Sequence, residues 1–153
     1  MWCKMMLRGS SFHKFDAKGR IIIPARWREN IADGGSYGLM ISGMDHCLVA
    51  YTHDEWSKIE NRILSLAKKS ASMRRFRRLF IGGAFECPID KQDRILIPPT
   101  LRQYAQLDKE IVLVGVLDHF EIWSKDNWDK ENEHMYKDLE NEEVRNEIAE
   151  LGL

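Results

Sequence analysis

Asp16-Ala17-Lys18-Gly19-Arg20-Ile21-Ile22-Ile23-Pro24 returns 74 positions later as Asp90-Lys91-Gln92-Asp93-Arg94-Ile95-Leu96-Ile97-Pro98. Each copy reads Asp-x-x-x-Arg, three aliphatic residues, proline. Arg28 and Arg102 keep the same offset, as do Gly9 and Gly83. Further on, Asp45-His46, an apolar run to Tyr51 and then Trp56 parallel Asp118-His119, Phe120 to Trp123 and then Trp128, with a one-residue slip. Agreement at so many positions marks an internal duplication, and the chain reads as two homologous halves in tandem.

Working outward from the motif, each half spells strand, tight turn, strand, short helix, two strands, longer helix. Phe12 to Phe15 and Arg20 to Ile23 are β-prone runs around Asp16-Ala-Lys-Gly, where Asp at the first turn position and Gly19 at the fourth suit a type I turn. In the second copy Asp93 takes the glycine position, and aspartate tolerates positive φ better than most residues. Pro24 and Pro98 end the strands and can open short helices. Leu39 to Ser42 and Cys47 to Tyr51 read as a strand pair around Gly43-Met44-Asp45, mirrored by Ile111 to Val116 and Phe120 to Trp123. Asp54 is a candidate cap for a helix with Trp56, Ile59, Ile63 and Leu66 on one face. After a break at Ser70-Ala-Ser72, Met73, Phe76 and Phe80 mark a second helix, and a C-terminal helix is expected from near Ser124. Strands this short cannot stabilise a half alone, so the two halves should share one β core. The expected class is α+β.

Composition bounds the function. The 153 residues are 44% hydrophobic and 31% charged, as in a water-soluble globular protein. Met5, Met6 and Leu7 are too short an apolar run for a secretory signal, and no stretch has the length of a membrane span. Three cysteines, Cys3, Cys47 and Cys87, without CxxC spacing argue for free thiols in a reducing compartment, which points to the cytoplasm. Net charge is -1, but residues 1–28 carry +6, residues 56–80 carry +7 and residues 125–153 carry -6. Two basic zones and an acidic tail make a bipolar surface whose basic part can face a polyanion.

Met6-Leu7-Arg8-Gly9 together with the two Asp-x-x-x-Arg motifs resembles the MraZ family, from Met6 onward. The resemblance implies a duplicated AbrB-like swapped-hairpin β-barrel with peripheral helices. It further implies a bacterial, nucleoid-associated transcriptional regulator that assembles into rings. Such a regulator binds direct repeats of double-stranded DNA upstream of its own operon of division and cell-wall genes. Residues 1–5 stand apart as an extension, residues 6–80 form the first half with the DNA-facing hairpin, and residues 81–153 form the second half with the acidic C-terminal helix.

The expected DNA contacts are Lys14, Lys18 and Arg20 at the first turn, with Arg8, Arg26 and Arg28 behind them. A small turn can approach a phosphate, and a two-stranded ribbon fits the major groove. Asp16, Gly19, Pro24, Asp90, Arg94 and Pro98 are read as the structural frame. The second turn, with Asp90, Lys91, Asp93 and Arg94, carries no net charge and reads as structural pairing. Arg74-Arg75-Phe76-Arg77-Arg78 reads as a solvated or assembly face, because Phe76 belongs to the apolar stripe. His46, Cys47, His53 and Cys87 have no metal-ligand spacing. Ser10-Ser11 near His13 lacks an orienting acid, and no phosphate loop occurs. The sequence therefore predicts no metal, no cofactor and no catalytic set. A ring-forming interaction module without specific DNA binding is the alternative.

Overall fold

The structure, a computed structural model, describes residues 6–35, 37–65 and 70–153. The expected N-terminal extension, the cations Lys4, Lys68 and Lys69, and the helix position Leu66 lie outside the described residues. In the first half the elements are β1 (Leu7–Lys14), β2 (Arg20–Ile22), α1 (Ala25–Ala32), β3 (Gly38–Met44), β4 (Cys47–Tyr51), α2 (His53–Ser65) and α3 (Ala71–Gly82). The second half repeats them as β5 (Phe85–Pro88), β6 (Arg94–Leu96), α4 (Pro99–Tyr104), β7 (Glu110–Leu117), β8 (Phe120–Ser124), α5 (Lys125–Asp138) and α6 (Glu142–Ala149).

The halves are interleaved. A six-stranded antiparallel sheet runs β1-β7-β8-β4-β3-β5, and β2 pairs with β6 in a second, two-stranded sheet. The first strand of each half thus pairs with the third strand of the other, β1 with β7 from Leu7↔Leu117 to Lys14↔Glu110 and β5 with β3 from Gly38↔Pro88 to Ile41↔Phe85. The arms of each Asp-x-x-x-Arg turn part directly after the turn and find partners across the pseudo-twofold. A three-residue strand holds too few ladder bonds to persist alone, and β2 pairs with β6 where the first and third aliphatic residues of both triplets are buried.

Alternation in that triplet sets the inner face. Ile21, Ile23, Ile95 and Ile97 point inward and are sealed from solvent, while Ile22 and Leu96 face out, about half exposed. They meet Leu7, Leu39, Ile41, Leu48, Ile111, Leu113, Phe120 and Ile122 from the large sheet, with Trp27 and Ile31 of α1, Leu101 of α4 and its C-cap Ala105 closing the layer. Residues of both halves contribute to this one core. The outer face of the sheet carries α2 and α3 over β3 and β4, through Val49, Trp56, Ile63 and Phe80.

Several local expectations are corrected. Gly9 and Gly83 are not structural equivalents: Gly9 lies within β1 at φ +88, whereas Gly83 ends α3. The end of α3 takes the chain length that β1 uses for its first four residues, so β5 is half as long. β3 extends through Met44, and Asp45 and His46, both at positive φ, make the two-residue turn of its hairpin with β4. α2 starts at His53; the Thr52 hydroxyl accepts from the Glu55 amide at 3.3 Å, and Asp54 lies in the first turn, where its charge suits the helix N-terminus. The C-terminal region is two helices, with Ser124 capping α5 and Asn141 capping α6.

Candidate nucleic-acid interface

Each Asp-x-x-x-Arg motif folds into the same clamp, for a reason visible in its spacing. A short carboxylate at the first turn position reaches the amides two and four residues on. Asp16 Oδ1 accepts from the backbone N–H of Lys18 at 2.9 Å and of Arg20 at 3.0 Å, and its Oδ2 accepts from Arg20 Nε at 2.7 Å. Asp90 does the same with Gln92, Arg94 N and Arg94 Nε, at 2.9, 2.9 and 3.0 Å. The backbone bond from Arg20, supported by the Arg20 side chain and the Lys18 amide, outweighs partial desolvation and holds Asp16 down to about 2. Asp90 is lowered for the same reason. Arg94 Nη1 also lies 3.9 Å from Asp16 Oδ2, so the two clamps touch. Arg20 and Arg94 are therefore both engaged locally through Nε.

What surrounds the two turns differs. Gly19 closes the first at φ +80, and Asp93 closes the second at φ +60. The Asp93 carboxylate accepts a short hydrogen bond from the Tyr37 hydroxyl and lies 3.3 Å from Arg28 Nη1. Burial, then the bond to Asp93, pushes Tyr37 up to about 12. Arg28, expected behind the first turn, is thus carried across to the second, where its Nε also donates to the Ile23 carbonyl at 3.0 Å. Lys14 and Lys18 are exposed. Arg26 stacks on Trp27 with 4.8 Å to the ring centroid, beside Gly9 on β1. Arg8 is exposed on the same strand, and its carbonyl accepts from Trp27 Nε1 at 3.2 Å. Gly9 and Lys14 are five residues apart on β1, about 16 Å, so Arg8 and Arg26 form a group separate from Lys14.

Arg102 and Tyr37 were absent from the expected site. The only sequence signal for Arg102 was its shared offset with Arg28; Tyr37 carried none, because its partner Asp93 lies 56 residues away.

Among the described residues no three His, Cys, Asp or Glu side chains stand together as a metal site. His46 sits in a turn stacked on Tyr104, and Cys47 and Cys87 are buried, with thiols pushed up mainly by that burial. Ser11 Oγ lies 2.7 Å from His13 Nε2, but the charge acting on that ring is Arg26, which adds to burial in lowering the histidine. No helix among the described residues is long and apolar enough to cross a membrane.

An interleaved pair of strand-turn-strand units sharing one β core, with an Asp-x-x-x-Arg clamp on each turn, defines a duplicated swapped-hairpin protein. The family model described as "MraZ protein, putative antitoxin-like" matches it twice, over residues 6–79 and 80–147. The chain belongs to the MraZ family. Proteins called Transcriptional regulator MraZ from Desulforapulum autotrophicum and Desulfosudis oleivorans are 60% and 52% identical to it over 148 residues, 97% of this chain and the whole of each relative. The protein of the same name from Desulforamulus reducens is 47% identical over 127 residues, covering 83% of this chain and 87% of its own length.

Proposed function

We propose that this chain is a transcriptional regulator, not an enzyme, that binds double-stranded DNA through the turn of its first half. In this reading it acts in the cytoplasm on the nucleoid, as a ring of like subunits on direct repeats upstream of its own division and cell-wall gene cluster. The observation that carries the reading is the asymmetry of two turns built on the same clamp. The first turn itself presents Lys18 and no carboxylate beyond the clamped Asp16, with Lys14 further along β1 opposite Glu110; the second sets Asp93 among its cations. A purely structural duplication gives no reason for that difference. Residues 6–80 then supply the DNA-facing hairpin, and residues 81–153 supply the structural counterpart and the acidic helices.

Assembly is supported by apolar surface. Leu79 is 78% exposed at the mouth of an apolar cavity of about 430 Å³ lined also by Phe76, Phe85 and Tyr104, a face suited to burial against another subunit. One turn neutralises few phosphates, so useful affinity at physiological salt requires several subunits engaged together. Head-to-tail subunits present their turns in one sense, which matches direct repeats about 10 base pairs apart. The test is affinity and salt dependence on duplexes carrying one, two and four boxes from the upstream region. Both should rise with the number of boxes. Equal affinity and equal salt slope on all three would refute multivalent binding, and no binding to any of them would favour the interaction-module alternative.

A further inference from the structure

The duplication allows the two turns to be superposed residue by residue from their backbone bonds. Ile97 N donates to the Gly19 carbonyl at 3.2 Å, as Ile23 N donates to that of Asp93 at 2.8 Å. Phe15 N donates to the Lys109 carbonyl at 3.4 Å, as Ile89 N donates to that of Tyr37 at 3.3 Å. Gly19 therefore stands where Asp93 stands, Lys109 where Tyr37 stands, and Arg102 where Arg28 stands. At the second turn an arginine, a tyrosine hydroxyl and a carboxylate satisfy one another. At the first turn the arginine remains, the tyrosine has become a lysine, and the carboxylate is gone.

Arg102 shows the consequence. A Cβ on Gly19 would lie 2.7 Å from Arg102 Nη1 and 3.0 Å from Cζ, so the guanidinium sits directly against the turn. Its Nε is shut off from solvent and has no hydrogen-bond partner, whereas Arg28 Nε has one. A buried donor without an acceptor is the exception in folded proteins and marks a missing partner. A guanidinium fork accepts a carboxylate or a phosphate in much the same geometry. With no side chain at position 19 the guanidinium packs directly on the turn backbone, and it also lies over the Phe15 ring, 5.9 Å to the centroid.

We propose that Arg102, with Gly19 and Lys18, forms a phosphate site at the first turn, in which a DNA backbone phosphate takes the place that the Asp93 carboxylate fills at the second. The site is composite: the turn comes from the first half and the arginine from the second. Asp93 closes the equivalent site with an internal anion, so each chain offers one phosphate site of this kind. This rests on the DNA-binding reading for the source of the phosphate.

Gly19→Asp tests it by restoring the internal anion. Asp93 already occupies the equivalent position at positive φ, so the fold has a precedent for it, and Gly19→Asn is the neutral control of the same shape. Binding is measured by fluorescence anisotropy on a duplex from the upstream region across a salt series. In parallel, the Arg102 Nε–Hε resonance is followed by NMR during titration with inorganic phosphate. Gly19→Asp should weaken DNA binding at least about tenfold, lower the salt slope by about 0.9 per engaged subunit and abolish the phosphate response of Arg102. Gly19→Asn should keep most of both. Asp93→Gly should free Arg28 and raise the slope. Should Gly19→Asp not fold, Arg102→Gln must give the same loss of affinity and slope. A folded Gly19→Asp protein with wild-type affinity and slope, or an Arg102 resonance unmoved by phosphate, overturns the proposal. If phosphate moves Arg102 in the wild type but not in Gly19→Asp, and no duplex binds, DNA is the wrong source.

Discussion

Trp27→Ala should cost this protein a large part of its stability, and in a single step. Trp27, on α1 of the first half, is 2% exposed and stacks at 5.1 Å, tilted by 33°, on Phe120 of β8 in the second half. Its Nε1 donates to the Arg8 carbonyl of β1, which itself pairs with β7. Truncating a fully buried tryptophan removes its transfer energy and leaves a cavity, together about 3–5 kcal/mol. The lost hydrogen bond to the Arg8 carbonyl adds about 1 kcal/mol or less. For a chain of 153 residues each kcal/mol lowers Tm by about 2–4 °C, so the expected drop is roughly 6–24 °C. Trp27→Phe, which keeps most of the ring stacking, should lose about a third of that. The assay is calorimetric or circular-dichroism melting at one fixed protein concentration, since assembly would shift Tm with concentration. Because Trp27 joins elements of both halves, the melt should stay a single transition that moves as a whole. A drop below about 3 °C, or a biphasic melt with one phase unmoved, would refute the shared core.

Gly115→Ala should detach β1 locally, because the new Cβ would lie 2.5 Å from Arg8 N and 2.6 Å from the Leu7 carbonyl carbon, both backbone atoms. The expected cost is about 1–3 kcal/mol, with faster amide exchange in β1 and unchanged protection in β4. The lowered Asp16 and Asp90 contribute stability that is present above their ordinary value of 3.8 and is lost as pH falls through their lowered values, about 2 for Asp16. Urea titrations from pH 5 to 2 should show this loss, and Asp16→Asn with Asp90→Asn should flatten it. His119 is pulled down by burial but raised overall by Glu121 and Asp118, so its contribution is present below 6.5 and fades as pH rises through the raised value. His119→Gln should remove that slope above pH 6.5, and an unchanged slope would show that another group causes it.

The 74-residue repeat was enough to give the duplication, the turns and the need for a common core. These are local consequences of chemistry: an aspartate that favours the first turn position, an aliphatic run that favours a strand, a proline that ends it. Helix starts were legible only to within two residues, as Asp54 and Thr52 show, because neighbouring residues compete to cap the same free amides. Arg28 and Arg102 have the same offset and nearly the same local sequence signal, yet one is paired with Asp93 and the other has a buried donor without an acceptor. Which turn each arginine faces was settled by the exchange of strands between halves. That exchange depends on pairings such as β1 with β7 and β2 with β6, between residues that carry no mark of their partners in sequence. The sequence determined what each turn is made of; only the tertiary structure decided which residues meet across it, because contacts made 56 or more positions apart are chosen by the packing of the whole core.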